Sequence, residues 1–279
     1  MEFWDREPRM TLSRRTVLAA ALLLAISGPA IGQSPPTAIT PEIAKNLAPT
    51  GRLRAAINLG NGVLAQGTAE APRGLSVDLA RELAKRTSLP LDLVAFDAAG
   101  KVFDALKTGA WDIAFMAREP RRADEVDFTA PYVEIEGTYM VLLDSPLKSV
   151  ADVDKTGIRI ALGLGSAYDL YLTRTIKNAT LVRAHTGGGR AMIDLFLKEK
   201  LEAAAGVKQA LVAYAKTDPK VRVMDGRFQT IEQAMGTPKG RTAAAAYLRT
   251  FVEDMKASGF VADGLKRSGQ EATVAVPAK

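Results

Sequence analysis

The sequence has no cysteine and a single histidine, His185. The first absence removes disulfides, thiolate nucleophiles and cysteine-ligated metals. The second excludes a multi-histidine metal site, and a Ser–His–acid triad is conceivable only through His185, around which no supporting motif stands. Aromatic residues are scarce, at 6%, so the core has to be built from Leu, Val, Ile and Ala. The longest apolar run, residues 17–26, is far short of the ~20 residues a helix needs to span a bilayer. The formal charge is +6, but basic residues are scattered and interleaved with acids. A nucleic-acid face would gather them on one stripe with aromatics between, so no nucleic-acid partner is expected.

What remains is an ordinary globular composition, 47% hydrophobic and 24% charged over 279 residues. That length accommodates two lobes of ~100 residues each. Domains of that size fold without disulfide staples, even in an oxidising compartment.

The N-terminal segment reads as an address. Ser13-Arg14-Arg15-Thr16 precedes the apolar run, and the small residues Ala30 and Gly32 follow it. A paired-arginine n-region, a short apolar stretch and small residues at the cut make a twin-arginine-like export signal. Residues 1–33 are therefore expected to be a signal peptide cleaved near Gly32, with an uncleaved anchor as the competing reading. The mature protein is expected in the periplasm. Residues 34–50 hold Pro35, Pro36, Pro41 and Pro49 and read as a linker or arm.

From Gly51 onward a regular alternation sets in. Strands are predicted over 52–58, 91–96 and 111–116, and helices over 76–86 and 100–108. Val77, Leu79, Ala80, Leu83 and Ala84 share one face of the first helix, Ser76 stands as its cap, and Gly109 ends the second. The pattern breaks at the charged stretch 118–127, which holds Pro120, and a long apolar strand follows over 136–143. A second series then alternates strands at 158–162, 180–184, 201–205 and 221–224 with helices at 166–177, 190–200 and 208–216. Two helices, 241–258 and 259–266, close the chain. Strands separated by helices of about three turns imply parallel β-α-β units, and two such series with a break between them imply two α/β lobes. Ligands of open α/β sheets sit beyond the carboxyl ends of the strands, here after Asn58, Met116, Leu162 and Ala205.

Three stretches carry a resemblance to a known family. They are Gly74-Leu75-Ser76-Val77-Asp78-Leu79-Ala80, Arg122-Ala123-Asp124-Glu125-Val126-Asp127-Phe128-Thr129-Ala130-Pro131-Tyr132 and Gly163-Leu164-Gly165-Ser166-Ala167-Tyr168-Asp169. The second is the most specific. From about residue 51 to 269 the chain resembles family 3 of the bacterial solute-binding proteins, the periplasmic binding proteins for polar amino acids. The resemblance implies the type II periplasmic-binding-protein fold, two α/β lobes joined by two crossover strands near 134–138 and 230–235. It divides the chain into lobe 1 (51–136 plus 232–279) and lobe 2 (137–231). It also implies hinge closure on a small carboxylate-bearing solute and delivery by a monomer to an inner-membrane ABC permease. No cofactor and no metal are implied.

By the same resemblance Arg122 clamps the ligand carboxylate, a task that suits a planar guanidinium which stays charged in a closed cleft. The competing reading is a surface arginine beside Arg118 and Arg121. Gly165, Ser166 and Ala167 lie where a helix begins, so backbone amides there, with the Ser166 hydroxyl, are candidates for the same anion. Ser166 also reads as a helix cap. Met116 and Ala117 end a strand at the cleft, and Ala117 stands where relatives often carry Ser or Thr.

Two positions depart from the family pattern. Val207 falls where an acidic residue pairs with the ligand ammonium. A valine cannot do that, so either another acid serves or the ligand has no α-amino group. Glu119, Glu134 and Glu136 are the replacement candidates, Glu119 the best placed. The loop after Asn58 lacks the usual stacking aromatic, and Asn61 offers an amide or simply forms a turn. Gln233, beside the second crossover, is a further candidate contact.

Trp111 reads as packing, and the glycine run 187–189 as a flexible start to a helix, since it lacks the spacing of a phosphate loop. The functional alternative is a periplasmic dehydratase acting on cyclohexadienyl substrates such as prephenate or arogenate. Some such enzymes resemble this fold, and they need a carboxylic acid poised in the cleft. Glu119 is the candidate for it.

Overall fold

A computed structural model describes residues 38–185 and 188–278. The expected export signal, the first residues of the expected linker, and Thr186 and Gly187 of the glycine run lie outside the described residues.

The first half of the chain comprises α1 (Pro41–Leu47), β1 (Leu53–Asn58), β2 (Gln66–Gly67), β3 (Pro72–Arg73), α2 (Leu75–Thr87), β4 (Leu91–Phe96), α3 (Ala99–Asp104), β5 (Ile113–Ala117), α4 (Pro120–Ala123) and β6 (Val126–Leu142). The second comprises β7 (Arg159–Gly163), α5 (Ala167–Thr175), β8 (Thr180–Ala184), α6 (Gly188–Lys198), β9 (Ala203–Val207), α7 (Lys208–Ala215), β10 (Val221–Val223), β11 (Gln229–Pro238), α8 (Thr242–Ala257), α9 (Phe260–Arg267) and β12 (Thr273–Val274).

The main sheet runs β4-β1-β5-β11-β6-β9-β7-β8. It contains two parallel sections, β4-β1-β5 and β9-β7-β8. The antiparallel pair β11 and β6 stands between them. β6 begins opposite the end of β11 that pairs with β5, and finishes against β9 and β10. Together β6 and β11 link two α/β lobes, the type II binding-protein architecture.

Both faces of each parallel section are covered, which explains why β5 reads as an unbroken apolar run with every residue buried. Ala55 and Ile57 of β1 pack with α2 and α8 residues, while Ala56 packs with Val102, Trp111 and Met116. In the second section Ala161 joins Met192, Ile193 and Phe196 of α6. Trp111 is fully buried, and its indole N–H donates to the Val102 carbonyl at 2.8 Å.

Several local expectations are corrected. Within the stretch read as a linker, residues 41–47 form a helix. Thr40 caps it, Pro41 takes its first turn, where no amide partner is needed, and Leu47 is fully buried. Ser76 does not cap α2. Gly74, at φ 109, holds the cap position and Ser76 is buried within the helix. β6 starts at Val126, well before residue 136, because the Ala130-Pro131 step is carried by irregular pairing with β11. β9 is shifted to Ala203–Val207, so its carboxyl end is Val207.

Candidate functional site

The carboxyl ends of β1, β5, β7 and β9 surround one cavity of about 80 Å³. Of the candidate residues, Asn61, Met116, Ala117, Arg122, Ser166, Ala167, Val207 and Gln233 line it. Gly165 and Glu119 do not. Gly165 faces an adjoining groove, and Glu119 is buried behind the Arg122 segment.

Arg122 is positioned by the short helix α4, where Glu119 is the cap residue and Pro120 occupies the first turn. Its side chain is 1% exposed. Nη1 donates to the Ala117 carbonyl at 3.0 Å and Nη2 to the Gly165 carbonyl at 2.8 Å. Nε is buried without a partner. Burial lowers the guanidinium pKa to about 10, partly offset by the Glu119 carboxylate. The group therefore stays cationic at neutral pH, with a donor to spare.

Glu119 has a different task from the ones expected of it. Its carboxylate meets the Arg174 guanidinium at 2.7 Å and accepts from the Gln229 amide at 2.7 Å. Arg174 belongs to the last turn of α5 and Gln229 to the start of β11. Glu119 thus ties the segment after β5 to the second parallel section. Glu136 is likewise engaged, by Lys208 and Arg227 at 2.8 Å each, and Glu134 is not among the lining residues.

At the start of α5, Ser166 caps the helix, its hydroxyl accepting from the Asp169 amide at 3.0 Å. The Gly165 amide, expected as a ligand donor, is already taken by the Asp169 carboxylate at 2.8 Å. Asp169 is fixed in turn by Arg183 at 2.9 Å. This leaves the amides of Ala167 and Tyr168, the first two helical residues, without an acceptor inside the helix. Both residues line the cavity.

Asn61 serves two purposes: its side-chain oxygen accepts from the Val63 amide, which shapes the turn, and the residue lines the cavity. Asn58 does the same through the Gly60 amide. Gln233 is nearly buried on β11, beside Ala117 in register. Val207 is the cap residue of α7 and makes no capping hydrogen bond there.

Sequence reasoning did not single out Tyr168 or the apolar wall of Met192, Ile193, Leu211 and Ile231. The wall residues are indistinguishable from core positions by periodicity. Tyr168 lay inside the quoted Gly163–Asp169 motif, and its position two residues past the cap was the available signal. Burial raises its phenol pKa, with a hydrogen bond to Ser166 opposing. His185, set aside earlier, also borders the cavity.

Backbone contacts close the cavity. A methyl group on Gly100 would stand 2.8 Å from the Leu164 carbonyl oxygen, and one on Gly188 would stand 2.8 Å from the Gly60 Cα. Only residues without a Cβ allow these approaches. Gly165 and Gly188 also have φ values of +70 and +57, which favour glycine.

Solved structures share this architecture. A mutant of ArgBP from T. maritima superimposes with a TM-score of 0.70 at 18% identity, covering 82% of this chain and all of that one. The solute receptor for L-cysteine of Neisseria gonorrhoeae gives 0.69 at 20% identity, covering 81% and 92%. The ancestral amino acid-binding protein AncCDT-1, described as a precursor of cyclohexadienyl dehydratase, gives 0.67 at 21%, covering 80% and 97%. No curated protein matches the chain. Residues 64–268 match the family described as bacterial extracellular solute-binding proteins, family 3. With most of its length matched and the fold in agreement, this chain belongs to the bacterial extracellular solute-binding proteins of family 3.

Proposed function

We propose that the protein is the periplasmic substrate-binding component of an ABC importer, and that it takes a small carboxylate-bearing solute into the cavity between its lobes. One observation carries the reading. The buried Arg122 guanidinium, with an unpartnered Nε, borders the same cavity as the unsatisfied amides that begin α5. Fixed donors on a rigid scaffold, converging from two lobes, suit an anionic head group.

In this reading Arg122, Ser166, Ala167, Ala117, Met116, Asn61, Val207 and Gln233 touch the solute. Gly165 and Glu119 act at one remove, as acceptors that hold Arg122 and Arg174 in place. Lobe 1 comprises 51–136 with 232–279, and lobe 2 comprises 137–231. The solute touches both lobes only when they are closed, so it shifts the population toward closure, and the permease recognises the closed shape. The export signal ends near Gly32. The importer role rests on the family and on neighbours described as amino acid ABC transporter binding proteins.

The dehydratase alternative needs a carboxylic acid over the substrate hydroxyl. Glu119 is instead paired with Arg174 outside the cavity lining, which favours a binding protein. Mass spectrometry of solutes released from protein purified from periplasmic extract tests the proposal. A small organic acid that restores thermal stability on re-addition supports it. At a hundred times its dissociation constant such a ligand adds ~2.7 kcal/mol. Turnover of prephenate or arogenate would overturn it.

A further inference from the structure

We infer that the solute is a carboxylic acid without an ammonium group, with an oxygen-rich head and an apolar body. This rests on the proposed reading of the cavity as a carboxylate site and narrows it. Among the described residues lining the cavity, Arg122 is the one permanently charged side chain, and none is Asp or Glu.

Three acids of the neighbouring segments are already paired. Glu119 is held by Arg174 and Gln229, Asp169 by Arg183, Thr173 and the Gly165 amide, and Glu136 by Lys208 and Arg227. A zwitterionic amino acid would bring one anion and one cation to a cavity with a single fixed cation. Its carboxylate would be matched and its ammonium would lose water without a counter-charge.

The polar groups agree with the charge count. The side-chain oxygens of Asn58 and Asn61 each accept from a loop amide, of Gly60 and Val63, and each side chain also carries an N–H2 donor group. With the Arg122 guanidinium and the first α5 amides, the lining is rich in donors. An ammonium brings three donors and a charge, and the acceptors that the lining side chains offer it, such as the Gln233 carbonyl, are neutral. A carboxylate carrying a 2-oxo or similar oxygen is the complement. Met116, Met192, Ile193, Leu211 and Ile231 then cover an apolar tail.

Val207 is the residue that sets this preference. It lines the cavity at the start of α7, whose cap position lacks a side-chain hydrogen bond. An aspartate there gains a capping interaction, so Val207→Asp is expected to fold. It also adds the missing carboxylate.

The test is calorimetric titration of solute-stripped protein with matched pairs: pyruvate and L-alanine, 4-methyl-2-oxopentanoate and L-leucine, phenylpyruvate and L-phenylalanine. The oxo acid of at least one pair is expected to bind ~100-fold or more tighter than its amino acid. Val207→Asp is expected to reverse that ratio, and Val207→Asn, which caps without charge, is expected not to recover amino-acid binding. Wild-type protein that binds amino acids as tightly as oxo acids, or an unchanged ratio in Val207→Asp, would overturn the inference while leaving the carboxylate site standing. If no acid of either series binds to any variant, the carboxylate reading itself falls, and the inference with it.

Discussion

The Arg122 guanidinium donates from Nη2 to the Gly165 carbonyl at 2.8 Å. Arg122 follows β5 and Gly165 follows β7, so this bond joins the segments beyond the two parallel sections of the sheet. The same side chain therefore fastens the closed cavity and borders it. On the proposed reading, closure and anion recognition are coupled through one group.

Replacement of that group is predicted to uncouple both. Arg122→Ala should weaken binding of the native solute at least tenfold, ~1.4 kcal/mol, by isothermal calorimetry. The pH profile offers a second reading. With its pKa lowered to about 10 by burial, the free guanidinium loses its proton above that pH, whereas a bound carboxylate retains it. Affinity should stay level between pH 6 and pH 9 and fall as pH passes about 10.

Glu119 is predicted to act on closure, not on chemistry. Glu119→Gln keeps an acceptor for Gln229 but removes the charge facing Arg174, which is 44% exposed while Glu119 is 2% exposed. A half-exposed pair of this kind contributes about 1 kcal/mol. The variant should bind solute several-fold more weakly and show a larger radius of gyration without solute by small-angle scattering. Unaltered scattering and affinity would remove Glu119 from the closing mechanism.

Steric tests need no charge. A Cβ at Gly100 meets the Leu164 carbonyl oxygen at 2.8 Å, a backbone atom that cannot swing aside. Gly100→Ala should therefore hold the lobes apart. Affinity should drop at least tenfold with little change in the melting temperature of the solute-free protein, a combination that a merely unstable variant would not give.

Asp112 supplies a stability test away from the cavity. Its side chain is fully buried between Arg54 at 2.9 Å and Arg241 at 2.8 Å. Burial pushes its pKa up, but the hydrogen bonds from the two arginines outweigh that and leave it below the usual carboxylate range. An acid with a lowered folded pKa stabilises above its unfolded value, near 4, and loses that contribution as pH falls through the folded value. Asp112→Asn should cost about 3 kcal/mol at pH 7 in chemical denaturation, and the gap to wild type should narrow toward pH 3.

Much of the architecture was legible because burial on both faces imprints continuous apolar strands such as β5, and because helix ends carry local chemistry such as Gly109. Arg122 was legible from the motif that follows it. What stayed hidden was long-range. Nothing near Glu119 in the chain announces Arg174 or Gln229 as its partners, so a buried clasp read as a cleft acid. The Asp169 carboxylate that takes the Gly165 amide lies only four residues on, yet only folding the loop at φ +70 brings the two together. Pro41 looked like linker chemistry, although the first turn of a helix accepts proline as readily. Met192 and Ile193 wall the cavity with side chains that periodicity assigns to the core.

The crystal structure of the protein with its co-purified solute tests the central claim most directly. The account predicts an anionic oxygen within hydrogen-bonding distance of the Arg122 guanidinium and of the Ala167 or Tyr168 amide, inside closed lobes. A solute bound elsewhere, with Arg122 still donating only to Ala117 and Gly165, would contradict it.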